Sequence, residues 1–248
     1  MESRMVKSLT QAGFFVEPSQ VILDEHTGKS REIDIVAEYN QWAHEHKHIC
    51  VKTHFVIEAI NNLFPLVLTT ERPSSPNVTE EYYFKYWVTP DESEFGEVDF
   101  LEGRWVEDQL LFAQYCSITK KKNGDLMASH GEDLYTSINK MVKYCAEMSQ
   151  KPEWTDTEDK IWRAFFWQPV LVLQNDILAC KENDDGEMEL IDVSSALLEF
   201  NYYTNGEPDS IIIEVVREEA LTEHLLSLAK RDHLVEKKLT EHRNSELT

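Results

Sequence analysis

The apolar positions along this chain change period several times. Met5, Leu9 and Ala12 recur at helical spacing and Gly13 follows as a stop, which predicts an opening helix over residues 2–12. From Phe14 the pattern becomes strand-like. Phe14-Phe-Val and Val21-Ile-Leu flank a turn at Pro18-Ser, and His26-Thr-Gly-Lys is a hairpin-type connection into Arg31-Glu-Ile-Asp-Ile-Val-Ala-Glu-Tyr. A polar stretch from Asn40 to Lys47 precedes a long strand pattern from Ile49 to Ile60, and Phe64-Pro-Leu-Val-Leu reads as a short buried strand. The beginning of the chain is therefore a helix followed by a meander of strands.

Further on, residues 70–79, with Pro73 and Pro76, read as a loop, and residues 91–102 as an acidic insertion after the aromatic segment Tyr82-Tyr-Phe-Lys-Tyr-Trp. Helical spacing is read over Trp105–Tyr115 and over Glu132–Met148, the latter with Leu134, Ile138, Met141, Val142 and Cys145 on one face. Lys120-Lys-Lys-Asn-Gly-Asp between them is a basic turn. Strands are expected at Pro169–Leu173, Ile177–Cys180, Met188–Ile191 and Ile211–Val216, with a turn at Asp184-Asp-Gly. A helix with Leu221, Leu225 and Leu228 inward runs from Glu218 to about Lys230. The charged tail from Arg231 has Leu234, Val235 and Leu239 as its only sizeable apolar groups, and the pattern leaves open whether it extends that helix or frays. No repeat stands out at a period of 20–50 residues. The fold class is mixed α/β (α+β).

At 248 residues with 42% hydrophobic content, the chain can bury one sizeable core. Its apolar runs are strand-length, far short of the roughly 20 residues that cross a bilayer, and its first residues lack the apolar core of a secretory signal. Cys50, Cys116, Cys145 and Cys180 have no CxxC spacing and read as reduced thiols. A soluble, cytoplasmic protein without a membrane partner is expected.

Charge narrows the choice of partner. The chain carries 24 Lys+Arg against 46 Asp+Glu, a net of -22, and such a field repels phosphates, so any nucleic-acid contact must use a local patch. Most of the acidity falls after residue 62, a region suited to solvation or to a basic protein partner.

Two acids stand inside apolar strand patterns, Asp34 in Ile33-Asp-Ile-Val and Glu58 in Val56-Ile-Glu-Ala-Ile. Burying a carboxylate is costly unless it is paired or metal-bound. Gly28-Lys-Ser-Arg-Glu-Ile-Asp-Ile-Val-Ala followed by Phe55-Val-Ile-Glu-Ala-Ile-Asn-Asn resembles the Mrr-like branch of the PD-(D/E)xK, restriction-endonuclease-like nucleases. In that family a strand with an Ile-Asp pair is followed by one ending in Glu-x-Lys. The resemblance implies a restriction-endonuclease-like core over residues 1–68, with residues 69–248 elaborating the same domain. It implies Asp34 and Glu58 as ligands of Mg2+, Glu2 as an assisting helical glutamate, and nucleic acid, DNA first, as substrate. The family's lysine position falls on Ile60, which carries neither charge nor donor. Lys52 shares the strand face of Glu58 but lies six residues away, roughly 20 Å, and Asn61 points to the other face.

Two functions follow. One is metal-dependent hydrolysis of nucleic-acid phosphodiesters. The other, favoured by Ile60 and by the net charge, is a non-catalytic nuclease-fold module that binds a protein or nucleic-acid partner in a defence or repair assembly.

Rival chemistry is thinner. His44, His46 and His48 alternate as zinc ligands can, but a polar hairpin tip accounts for them. Trp162, Phe165, Phe166 and Trp167 lead into a strand, which makes them core or a partner-binding patch before a base-stacking platform. There is no Walker A, GxGxxG, GxSxG or HExxH motif.

Overall fold

A computed structural model describes residues 1–24, 29–42, 49–72, 84–88, 110–129, 131–150, 161–183, 185–204 and 207–246. The histidine triplet, the acidic insertion of residues 91–102 and the loop beyond Arg72 lie outside them.

Helix α1 (Glu2–Gln11) buries Met5 and Leu9 and ends as its spacing predicts. Gly13 takes φ +96, a left-handed value open to glycine, and the Phe14 amide closes the turn on the Leu9 carbonyl at 3.1 Å. Strands β1 (Phe15–Asp24), β2 (Lys29–Trp42) and β3 (Ile49–Ile60) then form an antiparallel meander. The turn expected at Pro18-Ser is not a turn. Chain pairing runs through it, from Pro18 opposite Ile35 to Gln20 opposite Ile33, with Ser19 at φ 56 as a local kink. β1 is an edge strand, where proline's missing N–H costs no ladder bond.

The meander continues into a twelve-stranded mixed sheet among the described residues. Its other strands are β4 (Leu66–Arg72), β5 (Phe84–Val88), β6 (Leu111–Lys120), β7 (Leu126–Ser129), β8 (Trp162–Leu173), β9 (Ile177–Glu182), β10 (Met188–Val193), β11 (Ser195–Thr204) and β12 (Glu207–Arg217). The path runs β1-β2-β3-β8-β12-β11-β6-β4-β9-β10, with β5 on β8 and β7 on β6. β8 runs parallel to β3 along its whole length, from Ile49 opposite Trp162 to Ile60 opposite Leu173, so residues 1–60 meet the rest of the sheet through a twelve-residue ladder.

Helix α2 (Glu132–Gln150) covers one face of the sheet and packs its predicted stripe against Val36, Val56, Leu171 and Phe165. Helix α3 (Leu221–Glu246), entered through a 3-10 turn at Glu218–Ala220, covers the other face together with α1. Leu225 and Leu228 pack against Phe55, Ile57 and Val170, and the tail continues the helix because Val235 and Leu239 meet Ile49, Val51 and Phe166.

The helical reading of Trp105–Tyr115 is overturned: Leu111–Lys120 is strand β6, and residues 105–109 lie outside the described residues. Pairing with β4 on one side and β11 on the other decides the conformation, with Leu111 and Phe112 fully buried. The basic turn at Lys120–Asp125 is present, closed by Lys121 N–H to the Asp125 carbonyl at 2.7 Å. Trp162, Phe165, Phe166 and Trp167 are all core.

Candidate functional site

Alternation along β2 and β3 puts Asp34, Val36, Val56 and Glu58 on the face that α2 covers. Backbone pairing between the two strands ends at Ile35 opposite Ile57. Beyond it, two side chains take over the work of the ladder. The Asp34 carboxylate accepts the Ala59 N–H at 2.8 Å, and the Asp34 N–H points to Glu58 Oε1 at 3.4 Å. The two carboxylates are thereby locked side by side where the strands part.

Their surroundings differ. Asp34 is half-buried and Glu58 is 2% exposed, with Leu171 beside it in the parallel ladder of β8. Burial pushes the Glu58 carboxyl up, the Asp34 charge adds to the rise, and a hydrogen bond from Lys140 opposes both, leaving it at about 7.

Lys140 is the residue that motif reading misses. It lies on α2 and places Nζ 2.8 Å from Glu58 Oε2, while also donating to the Glu32 carbonyl at the start of the same stretch of β2. In sequence it flanks the apolar stripe of α2, between Ile138 and Met141. The spacing shows a boundary lysine, and only the packing of α2 on β3 and β8 says which acid it meets.

Ile60 is half-buried on the same face and packs into the core cluster that contains Leu171 and Leu173, so the vacated lysine position is filled with hydrocarbon. Lys52 does not migrate towards the pair: it holds Glu38 at 2.9 Å, together with His54 at 3.3 Å. Burial pushes Glu38 up, but those two partners outweigh it and hold its carboxyl below the usual range. His54 in turn stacks on Trp167, ring centroids 5.2 Å apart. Glu2 is exposed in the first turn of α1, on the helix that packs against the opposite face.

The donor set suits a hard cation. Both acids offer oxygen, and Mg2+ is commonly held by one or two carboxylates with water and substrate phosphate completing the shell. Among the described residues no group of three or more His, Cys, Asp or Glu forms a metal cage. A cleft of about 460 Å3 opens elsewhere, between α1 and the start of α3, lined by Arg4, Ser8, Gln174, Asn175 and Glu218. The Arg4 guanidinium spans it to Glu218 at 2.8 Å. Among the described residues no helix is long and apolar enough to cross a membrane.

Comparison with protein-family models, with curated proteins and with solved structures returns no match.

Proposed function

We propose that this chain is a metal-dependent phosphodiesterase of the nuclease kind, with Asp34 and Glu58 holding Mg2+ and Lys140 acting as the lysine that the strand motif lacks. The observation that supports the reading is the meeting of these three side chains, from β2, β3 and α2, within hydrogen-bond contact of one another or of the intervening backbone. A buried glutamate needs a cationic partner, which Lys140 supplies; the second carboxylate beside them, Asp34, is what a purely structural ion pair does not require.

Hydrolysis adds water across one P–O ester bond, and negative charge grows on the phosphate oxygens as it proceeds. A bound divalent cation supplies Lewis acidity there. Lys140 supplies a fixed positive charge on the sheet face, and its bond to the Glu32 carbonyl holds it without rearrangement. Asp34 is the more accessible of the two acids and would be the one to meet substrate. Leu171 and Leu173 keep water from the inner side of Glu58. All four cysteines are free thiols, which suits a reducing, cytoplasmic setting.

The experiment is cleavage of supercoiled plasmid and of single-stranded oligonucleotides with Mg2+ or Mn2+. Wild type should cut. Asp34→Ala and Lys140→Met should each lower the rate by about 100–1,000-fold, the usual cost of one fixed stabilising group. A folded wild type that cuts neither substrate with either metal overturns the enzymatic reading. The rival would then lead: a nuclease-fold module that binds a protein or nucleic-acid partner, a reading supported by the near-complete burial of Glu58 and the net charge of -22.

A further inference from the structure

The ribbon formed by β6 and β7 leaves the body of the sheet. Pairing of β6 with β4 ends at Ser117 opposite Leu66. Beyond it, among the described residues, β6 pairs only with β7, from Ser117 opposite Ser129 to Lys120 opposite Leu126. Every residue from Thr119 to Ala128 is exposed, and a Cβ added to Gly124 at the tip would meet nothing within 4 Å. Lys120, Lys121 and Lys122 fall in this stretch, and among the described residues none of their side chains has an ion pair or hydrogen bond. The one acid of the stretch, Asp125, is bonded within the turn, where it accepts Asn123 Nδ2 at 2.7 Å. Two apolar side chains stand in solvent beside the lysines: Leu126 is 61% exposed and Met127 42% exposed. Cross-strand pairing sets Leu126 beside Lys120 and Met127 beside Thr119, so each face of the ribbon ends in an exposed apolar group.

We infer that the β6–β7 tip is a docking element for an anionic lipid surface. Charge complementarity and the apolar pair together select the partner. Three unpaired ammonium groups suit any phosphate-bearing surface. Leu126 and Met127 gain nothing from a solvated nucleic-acid backbone, but they can enter the acyl boundary of a bilayer, and surface attachment draws on both signals. The lack of a spanning helix among the described residues bears on crossing a bilayer and not on resting against one.

The net charge of -22 sets the geometry of approach. Beyond the tip, the next acids along the chain are Glu132 and Asp133, which follow the base of the ribbon at Ser129. Three strand steps separate that base from Lys120, roughly 10 Å, which is about the Debye length at 0.1 M salt. A leaflet touching Lys121 and Lys122 is thus about one screening length from those acids. None of Asp34, Glu58 and Lys140 belongs to the ribbon, so docking needs neither metal nor hydrolysis and stands independently of the catalytic reading.

The test is co-sedimentation of the full chain with vesicles of phosphatidylcholine containing about 30% phosphatidylserine, in EDTA at about 0.1 M NaCl. Wild type should sediment with these vesicles and not with pure phosphatidylcholine. A lysine near an anionic surface is worth about fivefold in partition, so Lys121→Gln with Lys122→Gln should weaken binding about 25-fold. Leu126→Gln should weaken it about tenfold. The same change at Lys7 and Lys230, exposed lysines on α1 and α3, should leave partition within about twofold of wild type. The substituted side chains are all exposed, and an unchanged melting temperature of each variant checks that folding is intact. Absence of wild-type sedimentation with the anionic vesicles overturns the inference. So does equal weakening by the Lys7 and Lys230 pair, an unchanged partition for Leu126→Gln, or binding to a labelled DNA duplex through the tip lysines without binding to vesicles.

Discussion

Replacing Lys140 by methionine separates the charge of the site from its shape. Methionine keeps most of the length of the side chain and removes the ammonium that lies 2.8 Å from Glu58. In the wild type the Glu58 carboxyl is held at about 7 against an ordinary 4.5. A carboxyl raised in the folded state takes up protons that the unfolded chain has released, so it subtracts stability as pH rises from 4.5 to about 7, and then no more. That is 2.5 pH units at about 1.4 kcal/mol each, or about 3 kcal/mol. Without Lys140 the buried acid has Asp34 beside it and no cation, so its carboxyl should rise further. The subtraction then continues above the wild-type range, so at about pH 8.5 the variant carries an extra loss, about 1.4 kcal/mol for each further pH unit over which the acid stays protonated. At about pH 5 Glu58 is neutral in both proteins, and the variant should lose only the bond to the Glu32 carbonyl, about 1 kcal/mol. Urea unfolding followed by tryptophan fluorescence at both pH values reads the difference directly. A cost of Lys140→Met that is the same at the two pH values, or smaller at the higher one, would show that Lys140 does not neutralise Glu58.

Two further outcomes follow from the same three groups. At about pH 8, millimolar Mg2+ should raise the melting temperature of the wild type, with about 1.4 kcal/mol of stabilisation when the ion is at about ten times its Kd, and Asp34→Asn should remove the effect; differential scanning fluorimetry with and without EDTA measures it. Ile60→Lys should cost about 1–3 kcal/mol of packing, yet in the Lys140→Met background it should recover metal-dependent cleavage, and a plasmid assay in which the double variant stays as inactive as Lys140→Met alone would rule out Ile60 as the vacated position.

The parts of the fold written in local pattern were legible: α1 with its stop at Gly13, the strands bearing Asp34 and Glu58, the apolar stripe of α2 and the strand around Ile211–Val216. What escaped was decided by neighbours. Leu111 and Phe112 carry a period that suits a helix as well as a strand, and two partner strands resolve it. Pro18 signals a turn only if its strand needs that amide, and an edge strand does not. Ser195–Thr204, to which the apolar pattern assigns no element, is β11 because β12 pairs with it over ten residues. The burial of Asp232 and Glu236 on α3 is likewise invisible in composition, since it depends on how the helix docks on the sheet and on the contact of Asp232 with Thr53.

The candidate site divides in the same way, and the division has a consequence for how it forms. Asp34 and Glu58 sit on strands adjacent in sequence and paired antiparallel, so the register of those two strands alone brings them together. Lys140 is 82 residues beyond Glu58 and reaches it only when α2 has docked on β3 and β8. Until then the two acids face each other with no cation between them. A lysine at position 60 would complete the charge within one strand, at the expense of the hydrocarbon that Ile60 gives to the core around Leu171 and Leu173. Placing it on the helix keeps that packing and ties the charge state of the site to the docking of α2. Any change that loosens α2 from the sheet, even one far from Glu58 such as a truncation of Ile138 or Met141, therefore removes the Lys140 bond and part of the burial together, and the two act on the Glu58 carboxyl in opposite directions.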